Sequence, residues 1–91
     1  MENEFNKLEQ RVLNICRKYI SEKDHAYLTM YYSPKSKEMI IECYEGDKSL
    51  SKSGRKLGSV STNNQELTNV EGVSDISFKQ HILEEIGMMN Y

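Results

Sequence analysis

The sequence predicts an α+β domain: an N-terminal helix packed on a small antiparallel sheet, made of a hairpin over residues 26–45 and a third strand, with a C-terminal helix. Three observations carry that expectation. Apolar residues recur every three or four positions over residues 3–22, the period of a helix with one buried side. Over residues 26–45 they alternate with polar ones at the period of a strand. Near the end, Ile76, Phe78, Ile82, Leu83 and Ile86 return to helical spacing just before Gly87, a residue suited to ending a helix in the left-handed conformation.

In the first element, Phe5, Leu8, Val12, Ile15 and Tyr19 form the main stripe, and Leu13, Cys16 and Ile20 widen it. A coiled-coil seam is narrower than this, so the stripe is expected to lie across a sheet. Asn3 has N-cap chemistry and Glu4 suits the first turn.

The hairpin AYLTMYYSPKSKEMIIECYE is the stretch the rest must pack against. Pro34 pre-sets φ for the second position of a type I turn, and Ser33 suits the first. A loop over 33–36 pairs Tyr32 with Lys37, Met30 with Met39, Leu28 with Ile41 and Ala26 with Cys43, gathering the apolar set on one face. A slip of one residue sets Leu28 against Glu42 and mixes the faces. Even-numbered residues of the first strand are therefore expected inward and odd-numbered ones outward. The outward face then carries Tyr27, Tyr31, Ile40 and Tyr44, much apolar area for a surface meant only for water.

Gly46-Asp47 marks the next turn. Arg55 to Ser61 is expected to form the third strand, antiparallel to the second, with Gly58 weakening its interior. Residues 63–73 fit a short helix or a further edge strand. Ser77 with Gln80 three positions on has the form of a capping box, and Met88-Met89-Asn90-Tyr91 is apolar enough to tuck back against the body.

Ninety-one residues make one domain, and a chain of this size buries only about 60–65% of its unfolded surface. The core is lean: twenty Leu, Ile, Val and Phe residues, just above the level associated with disorder. A partner or a homodimer would help such a fold. A net charge of −2 favours no class of partner. The chain holds no apolar run of membrane-spanning length, and its charged start, MENEFNKLEQ, is unlike a secretory signal. The expected location is the cytoplasm, where Cys16 and Cys43 stay reduced. A bias toward residues with AT-rich codons (36 of Phe, Tyr, Met, Ile, Asn and Lys against 10 of Gly, Ala, Arg and Pro) points to a low-GC bacterium or its phage as the origin.

Two surface features have functional chemistry. Tyr27, Tyr31, Ile40 and Tyr44 form a patch of the kind enriched in interface cores, although cross-strand tyrosines also stabilise a sheet by themselves and the last helix could cover them. Aromatic sheet faces also stack bases in some RNA binders, but the pattern those domains carry is absent. Lys48, Lys52, Arg55 and Lys56 give residues 48–65 a local charge of +4, against −4 over residues 66–91. A basic Ser/Gly loop can contact phosphate; the bland alternative is a solvated loop facing the acidic last helix. SKSGRKLGS lacks the order of a nucleotide-binding P-loop.

No Cys/His spacing fits zinc, and no cofactor motif is present. His81 and Glu85 lie one helical turn apart, which fits a surface salt bridge better than a metal site, and His25 has no evident nucleophile nearby. No catalytic set can be assembled from these residues. The sequence is thus expected to encode a non-enzymatic protein-binding module, a small regulator or inhibitor. A nucleic-acid binder using the basic loop 48–56 is the alternative.

Overall fold

The computed structural model describes residues 7–46, 54–63 and 66–87. In chain order these form α1 (Lys7–Ser21), β1 (Ala26–Ser33), β2 (Glu38–Glu45), β3 (Lys56–Thr62), β4 (Leu67–Gly72) and α2 (Phe78–Ile86). The strands form one antiparallel sheet in the order β1-β2-β3-β4, so each strand pairs with its neighbour in sequence. Both helices lie on one side of it, giving the expected α+β arrangement in two layers. No helix among the described residues is long and apolar enough to cross a membrane.

The core is where the two helical stripes meet the inward side chains of the sheet. Val12, Leu13, Ile15, Cys16 and Tyr19 from α1 and Phe78, Ile82 and Ile86 from α2 enclose Met39, Ile41, Cys43, Leu57, Val60 and Val70. The helices also meet each other. Tyr19 and Phe78 stand edge to face with ring centroids 5.0 Å apart, the favourable geometry for two aromatic quadrupoles. Arg11 Nη2 donates to the Ile86 carbonyl at 2.7 Å, one of the carbonyls a helix leaves unpaired at its C-terminus.

Cys16 and Cys43 are both buried and free. Their mutual contact and burial push the Cys16 thiol far above its ordinary pKa, so it packs as a small, protonated hydrophobe.

The hairpin register differs from the expected one by two residues. Met30 pairs with Ile41, Leu28 with Cys43 and Tyr27 with Tyr44. The loop is Pro34–Lys37, with Lys37 at φ 60 and its N–H bonded to the Ser33 carbonyl at 2.7 Å. A left-handed residue after the Pro34 turn lets Ser33 pair with Glu38. A shift of two preserves the faces, because side chains alternate with period two.

The inward assignment of β1 holds only at one end. Leu28 packs against the core, but Met30 is 40% and Tyr32 59% exposed. They lie on the helix side of the sheet, yet α1 does not cover the turn end of this strand.

The third strand forms where expected, and residues 67–72 take the edge-strand alternative. Gly58, expected to weaken β3, is instead required there: a Cβ at this position would stand 2.2–2.6 Å from carbons of the Phe78 ring. The strand is locally bare so that α2 can seat its aromatic anchor.

At α2, the capping box does not form. Ser77 has helical φ and ψ and makes no capping bond. Its hydroxyl and N–H both donate to Asp75 Oδ1, at 2.7 and 3.0 Å, so Asp75 organises the entry to the helix. Ile76, expected in the apolar side of this helix, is 92% exposed because it precedes the first helical turn. Gly87 ends the helix at φ 87, its N–H bonded to the Leu83 and Glu84 carbonyls. Asn3, Phe5 and the Met88–Tyr91 tail fall outside the described residues.

Candidate functional site

With both helices on one side, the other face of the sheet has no layer over it among the described residues. Strand alternation sends Tyr27, Thr29 and Tyr31 of β1 and Ile40, Glu42 and Tyr44 of β2 to that face. From β3 it receives Ser59 and Ser61 by pairing with Glu42 and Ile40. The last helix does not cover the tyrosines. Tyr31 is 48% exposed; Tyr27, Ile40 and Tyr44 are half-buried by one another and their neighbours.

Tyr27 and Tyr44 sit directly across the β1–β2 pair, with their rings stacked 9° from parallel and centroids 5.3 Å apart. Their side chains are thereby held in one orientation. Ile40 lies opposite Tyr31, so the four expected residues form two cross-strand pairs, with Thr29 and Glu42 between them on the same face.

Glu42, between the two pairs, anchors an ion pair that sequence reasoning missed. Lys56 Nζ donates to Glu42 Oε2 at 2.9 Å, and the Tyr44 hydroxyl donates to Glu42 Oε1 at 3.0 Å. Burial alone would push the Glu42 carboxyl up; the Lys56 and Tyr44 hydrogen bonds, with help from Tyr31, outweigh it and hold the group below its ordinary pKa. The same pairing raises Lys56. Tyr44 is raised by burial and by donating to a carboxylate. The geometry depends on a bulge between Cys43 and Tyr44 that makes Leu57 an additional residue, so Lys56 rather than Leu57 faces Tyr44.

The expected basic loop is therefore divided. Lys56 belongs to the open face, and Arg55 is bound to Glu45 through Nη2 at 2.6 Å and Nε at 3.0 Å. Both cations pair with carboxylates of β2 rather than with the acidic last helix. Lys48 and Lys52 lie outside the described residues.

The other titratable cluster lies at the junction of the helices. The Tyr19 hydroxyl donates to Asp75 Oδ2 at 2.5 Å, and Lys23 lies 3.7 Å from the same carboxylate oxygen and 4.6 Å from the centre of the Tyr19 ring. The Tyr19 hydroxyl, then Ser77 and Lys23, hold Asp75 below its ordinary pKa, while burial and the carboxylate raise Tyr19. This cluster ties the α1–β1 connector to the start of α2. His81 stacks obliquely on Tyr19, centroids 5.5 Å apart, at the edge of a shallow depression of about 310 Å³ lined by Ser77, Gln80, His81 and Glu84. Glu85 lies 4.0 Å from Lys18, so the expected His81–Glu85 pairing gives way to an interhelical ion pair. Comparison of the chain with protein-family models, with curated proteins and with solved structures returns no match.

Proposed function

We propose that this chain is a non-enzymatic protein-binding module, a small regulator or inhibitor that docks the open sheet face onto a protein partner. The observation that carries the reading is that Tyr27, Tyr31, Ile40 and Tyr44 share one face, around Glu42, with no second layer over it among the described residues. Stacked tyrosines offer large, rigid contact area at low entropic cost. Glu42, between the two cross-strand pairs, is neutralised by Lys56, so the centre of the face presents no unpaired ion to a docked partner.

The test is affinity capture from the native host, followed by binding measurements on the purified partner. Tyr27→Ser combined with Tyr31→Ser should abolish binding while costing no more than about 2 kcal/mol of stability, the scale of cross-strand and aromatic pair energies. Retained binding by a folded double variant would overturn the reading. Binding to RNA or DNA that falls steeply with salt, and is lost when Lys52, Arg55 and Lys56 become alanine, would establish the alternative instead.

A further inference from the structure

We propose that the chain forms a two-fold dimer by pairing β1 with β1 of a second copy, centred on Thr29. The proposal concerns the edge of the sheet rather than its face, and it stands whether or not that face binds a partner.

Among the described residues β1 has a strand on one side only. Its outer edge therefore carries main-chain donors and acceptors unmatched by any strand, a template for another strand. Sheets normally protect such an edge with charge, proline, a bulge or brevity. β4 does this: it is six residues long, carries Glu71, and joins its neighbour through an irregular register. β1 has none of these devices. It runs for eight residues, AYLTMYYS, and alone of the four strands has no charged side chain. It is also where exposed apolar area collects, with Met30, Tyr31 and Tyr32 at 40%, 48% and 59% exposure, on both sides of the sheet.

The β1 edge is complementary to a second copy of itself. An antiparallel two-fold pair must oppose residues of equal parity, because opposed side chains share a face. Centring on Thr29 sets Tyr27 against Tyr31 of the second copy, Leu28 against its Met30 and Ala26 against its Tyr32. Each of the three exposed apolar side chains thus meets an apolar one, twice over. The same operation brings the α1–β1 connector of one copy, with Glu22 and Asp24, toward the turn of the other that holds Lys35 and Lys37. These four side chains are exposed, and Lys23 between the acids is engaged by Asp75 and Tyr19. The strand is neutral along its length and the connections flanking it carry opposite charge, a pattern that suits antiparallel pairing with itself. The product is a continuous sheet of two four-stranded halves, with both tyrosine faces on one side and all helices on the other.

Sedimentation of the full chain across the micromolar range tests this. The expected result is a dimer whose dissociation constant rises at least ~100-fold in Thr29→Lys, which opposes two like charges on the axis, while the variant keeps a cooperative thermal transition. Thr29→Cys gives the independent reading, since cysteines opposed on the axis are close enough to bond. It should oxidise to a covalent dimer in solution, and Ser33→Cys should not. A monomer at every concentration, or a dimer unaffected by Thr29→Lys, or Thr29→Cys that fails to cross-link, would overturn the proposal. A monomer that still binds a partner through Tyr27 and Tyr31 would overturn it alone, leaving the proposed function in place.

Discussion

Ile40 and Ile41 are adjacent, chemically identical and on opposite faces of the sheet, and they show how differently the two faces are built. Ile41 is fully enclosed between helices and sheet. Ile40 is half-buried, supported by Tyr31 across the strand pair and, among the described residues, by no second layer. The helix face is held by volume: side chains fill space, and a methyl group too many or too few is felt. The open face is held by pairs, namely a tyrosine stack and a carboxylate with a cation. Faces built on packing specify a fold; faces built on pairs can keep their shape while remaining available to something else.

The comparison is sharpest at the isoleucines themselves. Ile41→Ala should cost roughly 4 kcal/mol, transfer and cavity terms together, whereas Ile40→Ala should cost about 1 kcal/mol. Equal losses by denaturant titration would mean that the open face is core.

Gly58→Ala probes overpacking on the helix face. A methyl at this position cannot avoid the Phe78 ring, so a loss of about 3 kcal/mol is expected. If crystals or NMR showed Phe78 in place in a fully stable variant, the close approach of α2 to β3 would need another explanation.

Glu42→Gln tests whether the open face rests on its pairs. The expected loss at neutral pH is about 1 kcal/mol, set by charge-assisted hydrogen bonds that are partly exposed. Because the carboxyl is held below its ordinary pKa of 4.5, its contribution is present above that value and vanishes as pH falls through the lower folded value. The difference between wild type and variant should therefore close in acid, and a gap that widened there would contradict the pairing.

The smallest effect has the opposite sign. Thr62 is fully buried and its hydroxyl has no hydrogen-bond partner among the described residues. Thr62→Val, which removes that group at nearly constant volume, should raise stability by somewhat under ~1 kcal/mol, read as a small increase in melting temperature.

How much of this was legible in the sequence follows from which interactions are periodic. Alternation over residues 26–45 correctly assigned Tyr27, Tyr31, Ile40 and Tyr44 to one face, because any even shift leaves the faces unchanged. The same property hid the register, which was decided by Lys37 adopting a positive φ after Pro34, a choice that non-glycine residues seldom make. The Glu42–Lys56 pair was invisible because it depends on a bulge at Leu57. Periodicity likewise said that Met30 and Tyr32 point toward the helices, but not that α1 stops short of them, since the reach of one element over another is a tertiary property. Ser77 with Gln80 has good capping chemistry, yet Asp75 two residues earlier captured the serine first.

The hydrogen bond from Arg11 to the Ile86 carbonyl joins positions 75 apart, while every strand pairing among the described residues is between neighbours in sequence. During synthesis the sheet can therefore close one hairpin at a time as each emerges, but its lid cannot be fastened until the last helical turn has left the ribosome. Until then Gly58, Val60 and Val70 lack the cover that Phe78, Ile82 and Ile86 bring, and a stalled or shortened nascent chain would display that unfinished side to chaperones and to its own kind.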